Sequence, residues 1–156
     1  MRKTVLVVSA ILAACGGNSG SAPTTPMASS GQALREFMQA ARDSNLTRMS
    51  QLWGSSRGPA AETRYPENYE RRLVVIQLYL RADSSKVVSD VPVTGEDNQR
   101  RLIASIYRSG GCMKQIPALL TRIKGAWVVT DIEVAAAGNP ARPCENATPP
   151  DGGPTR

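Results

Sequence analysis

The sequence contains no histidine and few aromatic residues. Aromatic side chains make up 4% of its 156 residues, with a single phenylalanine. The absence of histidine excludes an imidazole as a general base or as a metal ligand. Aliphatic side chains must therefore fill most of any hydrophobic core. The sequence also lacks a Cys-x-x-Cys pair, which excludes the usual motif of a thiol–disulfide catalyst.

The charge is positive but scattered along the chain. The formal net charge is +6, from 19 Lys and Arg against 13 Asp and Glu. A nucleic-acid-binding surface shows as a basic cluster or stripe, whereas the longest basic run here is two residues. We therefore expect no nucleic-acid partner. The sequence has no metal-ligand spacing, nucleophile elbow or phosphate loop, so we also expect no metal and no cofactor.

Residues 1–14 have the features of an export signal. A short positive start, Met1–Lys3, precedes an apolar stretch over 4–14 that is too short to span a bilayer comfortably. This stretch ends in Leu12-Ala13-Ala14-Cys15, which resembles the bacterial lipobox. The alternative is a buried N-terminal helix or strand in which the cysteine is accidental.

The lipobox resemblance implies a defined processing route. The signal peptide is cut between Ala14 and Cys15, and Cys15 carries the lipid that holds the protein on a membrane of the cell envelope. Gly16 is not the acidic residue that retains enterobacterial lipoproteins on the inner membrane. The expected location is therefore the outer membrane facing the periplasm in a cell with two membranes, and otherwise the outer face of the cell membrane.

The rest of the chain divides by composition into three parts. Residues 15–30 comprise the lipidated cysteine and a tether rich in Gly, Ser, Thr and Pro. A folded domain is expected over 31–136, followed by a Pro- and Gly-rich tail over 137–156.

Hydrophobic periodicity predicts helices first and strands second. Leu34, Phe37, Met38 and Ala41 form one stripe of a first helix, for which Ser29 and Gln32 could form a capping box. We expect a second short helix that is capped by Ser44 or Asn45 and ends at Gly54. A loop over 55–64 and a third helix with Pro66 in its first turn are expected to follow. Strands follow over 86–93, 99–108, 114–124 and 127–134, and Pro117 indicates an edge position or a bulge. The sequence thus predicts an α+β domain with three N-terminal helices packed on a four-stranded antiparallel sheet.

This layout resembles the NTF2-like superfamily, which includes SnoaL and ketosteroid-isomerase relatives. The segment Leu119–Ile132 resembles the final hairpin of these proteins, and 33–53 resembles their first two helices. The resemblance implies a curved sheet that forms a cone around an internal pocket, and it implies pairing of two copies through the outer sheet face. The alternative is a generic α+β sandwich.

Two classes of function fit this layout. The first is a non-catalytic module that binds a partner protein or a small apolar ligand. The second is an isomerase- or dehydratase-type enzyme, with Asp131 and Tyr107 as its weak catalytic candidates. Asp131 shares strand parity with Trp127 and Val129, so it could face inward and act as a general base. Alternatively, Asp131 lies in water near the strand end or pairs with an arginine.

Two cysteines remain after lipidation, Cys112 and Cys144. Outside the cytoplasm they are expected to form a disulfide. Cys112 lies in the turn before the third strand, and Cys144 is within chain reach of it after the fourth. The alternative is two free thiols.

Overall fold

A computed structural model describes residues 29–142 and 144. The predicted signal peptide 1–14, the Cys15 lipidation site, most of the tether and the tail from 145 onward lie outside the described residues. The elements in chain order are α1 (Ser30–Arg42), α2 (Leu46–Leu52), β1 (Gly54–Ser55), β2 (Gly58–Pro59), α3 (Ala60–Thr63), α4 (Tyr69–Leu80), β3 (Ser84–Val93), β4 (Glu96–Arg108), β5 (Cys112–Ile123), β6 (Ala126–Ile132) and a 3₁₀ helix, Val134–Ala137. Within this part of the chain, no helix has both the length and the apolar character needed to cross a bilayer.

The fold is α+β, with helices preceding a four-stranded antiparallel sheet in the order β3-β4-β5-β6. This class and this sheet confirm the sequence prediction. The helix count differs: the described residues contain four α-helices and a 3₁₀ helix rather than three helices. The predicted loop over 55–64 contains the β1–β2 pair and the single turn of α3, elements too short to produce a periodic signal.

Side-chain caps set the starts of α1 and α2. The Ser29 hydroxyl accepts the Gln32 N–H at 3.2 Å, and the Asn45 side chain accepts the Arg48 N–H at 2.9 Å. Both caps satisfy backbone donors that have no partner within the helix. The Gln32 side chain donates to Glu36 at 3.3 Å.

The start of α4 differs from the prediction. Pro66 was expected in its first turn, but the helix begins at Tyr69. Asn68 precedes it with φ at 58°, in the left-handed region, and the Tyr65–Pro66 peptide bond is cis. A left-handed residue cannot continue a right-handed helix, so the helix starts after Asn68.

The inner face of the sheet forms one side of the core. Opposite pairs such as Leu102–Ala118 and Ala104–Ile116 place apolar side chains on this face, where all four are buried. Helix α1 packs across it, against β3, β4 and β6. The fully buried residues Leu34, Phe37, Leu102, Ile106, Ile116, Leu120 and Val129 form one cluster. The family resemblance implied an internal pocket on this face of the sheet. In the structure, side chains of α1 occupy that space and pack against the sheet.

Pro117 lies in β5, which is an inner strand. Pairing of β5 with β6 begins at Ala118 opposite Ile132, and the Pro117 carbonyl accepts the Glu133 N–H at 2.9 Å just past the end of β6. In a strand, the N–H and C=O of one residue point to the same side, so the missing N–H of Pro117 faces β6 where its ladder has ended. Pro117 therefore lies in an inner strand, but at a position where the neighbouring strand β6 has already ended.

Replacing Gly54 and Gly31 by alanine should change the free energy of unfolding in opposite directions. A Cβ on Gly54 would lie 2.1 Å from the Gly58 carbonyl oxygen, whereas one on Gly31 would lie 3.5 Å from its nearest neighbours. We expect Gly54→Ala to lower the free energy of unfolding by about 2 kcal/mol or more, because backbone must move. Gly31→Ala, inside α1, should raise it by about 0.5 kcal/mol. Urea unfolding of both variants measures this, and changes of the same sign would contradict the packing at Gly54.

Candidate functional site

Asp131 lies on the outer face of the sheet and is exposed. Strand parity with Trp127 and Val129 suggested an inward direction, but β6 carries a bulge. Leu120 pairs with Val129 and Leu119 pairs with Asp131, so Thr130 is the extra residue. An extra residue shifts the alternation of side chains by one position. The bulge therefore places Asp131 on the face opposite to the core.

Tyr107 is also on the outer face, 40% exposed, and it lies far from Asp131. Tyr107 pairs with Met113, while the row that contains Asp131 crosses β4 at Arg101. From Arg101 to Tyr107 along the strand is roughly 20 Å at about 3.3 Å per residue. The two catalytic candidates are therefore not brought together.

Asp131 instead borders a small surface cleft. The cleft has a volume of about 230 Å³, and Arg101, Leu119 and Glu133 also line it. Within the part of the chain that the structure describes, no three metal-ligating side chains cluster. Asp131 also lines a larger cleft, of about 500 Å³, together with Trp53 and Arg72.

A carboxylate missed by sequence reasoning, Asp90, lies at the start of α1. Its side chain accepts the Ser30 hydroxyl at 2.7 Å and forms an ion pair with the Arg100 guanidinium, which also donates to the Asp90 carbonyl at 3.1 Å. The three residues tie the N-terminus of α1 to β3 and β4. The Ser30–Asp90 contact spans 60 positions in sequence and the Arg100–Asp90 contact spans 10, and no local sequence motif indicates either of them.

Arg108 ties the other end of the domain together. Its guanidinium donates to the backbone carbonyls of Arg81 at 3.0 Å and Ala137 at 2.7 Å, and also to that of Tyr79. These carbonyls lie at the C-terminal ends of α4 and the 3₁₀ helix, where helix carbonyls lack partners and carry partial negative charge. Burial lowers the pKa of Arg108 from its usual value, because desolvation disfavours the charged form.

The disulfide lies beside Arg108. The structure joins Cys112 to Cys144 with a Cα–Cα distance of 5.3 Å, and Cys112 is paired across the strands with Arg108. The bridge holds the start of the tail against the β4–β5 turn, where Gly110 approaches the Cys144 sulfur. Arg108 and the disulfide together fasten the chain that follows β6.

Helix α4 carries an apolar exposed surface. Val74, Val75 and Leu78 are 49%, 51% and 52% exposed. On one side of the helix, a cleft of about 500 Å³ runs along β6 and is lined by Val75 and Trp53. On the other side, a cleft of about 450 Å³ lies between α4 and α2 and is lined by Val74 and Leu46. This region offers apolar contact bordered by charged side chains.

The comparisons with known proteins yield one structural similarity. The chain is similar to an NTF-2-like protein of unknown function from Shewanella oneidensis MR-1, with 14% identity over 65% of this chain and 91% of that chain, at a TM-score of 0.40. No model of a known protein family matches the sequence. No curated protein matches it either.

Replacing Arg108 tests its role as a fastener. Arg108→Met keeps the side chain's length but removes its donors, leaving three carbonyls without their partner. We expect the free energy of unfolding to fall by about 2 kcal/mol. Arg101→Met, at an exposed arginine of the same strand, should change it by less than about 0.5 kcal/mol. Equal losses in the two variants would show that the carbonyl contacts contribute nothing specific.

Removing the disulfide tests the fastening of the tail. With the cysteines separated by 32 positions in sequence, the loop-entropy relation predicts that Cys112→Ser/Cys144→Ser lowers the free energy of unfolding by about 3 to 4 kcal/mol. Alkylation of the native protein under denaturing, non-reducing conditions, followed by intact mass measurement, gives the control. Alkylation of both Cys112 and Cys144 without reductant would exclude the bridge.

Proposed function

We propose that this chain is a lipid-anchored protein of the cell envelope whose NTF2-like domain serves as a non-catalytic binding module. The observation that carries the proposal is the run Leu12-Ala13-Ala14-Cys15 at the end of a short positive and apolar leader. The order of helices followed by a four-stranded antiparallel meander supports the NTF2-like assignment of the domain.

The anchor follows from the chemistry of lipidated Cys15. Each buried acyl methylene contributes about 0.8 kcal/mol, and stable anchoring needs more than one chain. A diacylated cysteine meets this requirement without a membrane-spanning helix. A disulfide between Cys112 and Cys144 is consistent with a location outside the cytoplasm, where such bonds persist. We infer the outer membrane facing the periplasm in a cell with two membranes, and otherwise the outer face of the cell membrane.

The arrangement of side chains supports binding over catalysis. The enzyme alternative requires an inward carboxylate beside a hydroxyl donor, whereas Asp131 and Tyr107 lie on the outer face and far apart. The inner-face carboxylate of Asp90 is held in an ion pair with Arg100. A binding module instead needs accessible apolar surface, which α4 and its two clefts provide for a partner or a small apolar ligand.

The outer sheet face offers a second accessible surface. Tyr107 and Met113, which pair across β4 and β5, are 40% and 49% exposed. The family resemblance implies that a second copy of the chain pairs on this face. We include this pairing in the proposal.

Lipidation of Cys15 can be tested directly in a bacterial host. We expect the wild-type chain to incorporate labelled palmitate and to fractionate with membranes, and Cys15→Ser to lose the label, because the thiol is the acceptor. The Cys112→Ser/Cys144→Ser variant is the matched control and should keep both label and location. Label retained on Cys15→Ser, or an unlabelled wild-type chain, would refute the anchor.

A further inference from the structure

Helix α4 has two apolar faces, and the fold uses one of them. Tyr69, Leu73, Ile76 and Leu80 face the core, while Val74, Val75 and Leu78 face outward, each about half exposed. A surface helix of a globular domain normally carries polar residues on its outward side. The three outward side chains form a second stripe that no described element covers. We call them the α4 outer face.

Arginines border the α4 outer face. Arg71 precedes Val74 and Val75 by three and four positions, so it lies on the same side of the helix. Arg72 and the C-cap residue Arg81 are also exposed. Against these three cations, the helix and its cap carry one carboxylate, Glu70. Glu70 lies four positions before Val74, and Asp131 lines the cleft beside Val75, so the border of the apolar centre carries both signs, with arginines in excess.

We propose that the α4 outer face docks on a bilayer surface that contains anionic phospholipid. The apolar side chains would enter the boundary between headgroups and acyl chains, while the arginines would bind phosphate groups. This proposal deepens the proposed function and rests on the lipid anchor. The connection from Cys15 to Ser29 reaches at most roughly 45 Å, at about 3.3 Å per residue. Confinement so close to a bilayer would add avidity to the affinity that the α4 outer face itself has for anionic lipid.

Charge decides between a bilayer and a second copy of the chain as the occupant. In a symmetric pair the same patch lies on both sides of the interface, so each α4 outer face would bring more arginines than carboxylates to the contact. Like charges brought together at an interface oppose association. An anionic bilayer presents negative headgroups above an apolar layer, and both features complement the α4 outer face.

The experiment uses vesicle co-sedimentation of residues 16–156, which retain every described residue but lack the leader and the lipid-bearing cysteine. We expect this chain to sediment with vesicles of equal parts phosphatidylglycerol and phosphatidylcholine. It should stay in solution with pure phosphatidylcholine vesicles, because the arginines need an anionic partner. Binding without lipidation is expected because the face, and not Cys15, makes the contact.

Two variants and two matched controls locate the contact. Val74→Asp should lower the vesicle partition about tenfold, a change of about 1.4 kcal/mol. Val91→Asp, at a valine of equal 49% exposure on the sheet, should leave the partition unchanged. Arg71→Gln/Arg72→Gln should weaken binding to anionic vesicles, whereas Arg101→Gln/Arg122→Gln, which removes the same charge from the sheet, should not. Thermal melts check that each variant folds.

Several results would overturn the proposal. They are no sedimentation with anionic vesicles, equal losses in the helix and sheet variants, or binding that ignores lipid charge. Sedimentation velocity tests the other occupant. If the chain is a dimer that Val74→Asp converts to a monomer, and it does not bind vesicles, then the α4 outer face binds a second copy of the chain. Residues 16–156 lack Cys15, so the vesicle experiment does not depend on lipidation. A negative vesicle result would overturn the docking proposal alone, and a negative palmitate result would overturn the lipid anchor alone.

Discussion

The constraint on which the domain depends is the burial of one face of an antiparallel sheet. A sheet with a single apolar face is not stable in water until another element covers that face. Here α1 covers it, and its Leu34 and Phe37 join the sheet residues in one fully buried cluster. Because the side chains of α1 occupy this space, the inner face contributes to stability. The surfaces that remain for recognition are the outer sheet face and the outside of α4.

The sequence predicted those elements whose determinants are local. The stripe of α1, its Ser29 cap, the Asn45 cap and the four strands all follow from nearby residues. The β1–β2 pair does not, because it depends on Gly54 meeting the backbone of Gly58 and Ala60. The start of α4 depends on a left-handed residue, Asn68, which no periodic pattern shows.

The direction of Asp131 could not be predicted for a related reason. Counting by twos along β6 assumes an uninterrupted ladder, and the bulge at Thr130 inverts the assignment for every later residue. Composition gives no sign of the bulge. The contacts of Arg108 were equally hidden, since its partners are backbone carbonyls. The absence of histidine from the sequence already excluded imidazole chemistry. Whether Asp131 and Tyr107 can act together depends on their positions in the fold, which the sequence does not show.

The outward residues of α4 have no explanation in the fold itself. Valine is β-branched and loses side-chain freedom in a helix, so a straight-chain polar residue would favour α4 more at an exposed position. The two adjacent valines therefore cost some helix stability, and together with Leu78 they leave about half of their surface in water. Fully burying such a side chain is worth about 1.5 to 3 kcal/mol, and the half that remains exposed gains nothing until something covers it. The excess of arginines on the same side favours a cover of opposite charge, which is the basis of the proposed docking on an anionic bilayer.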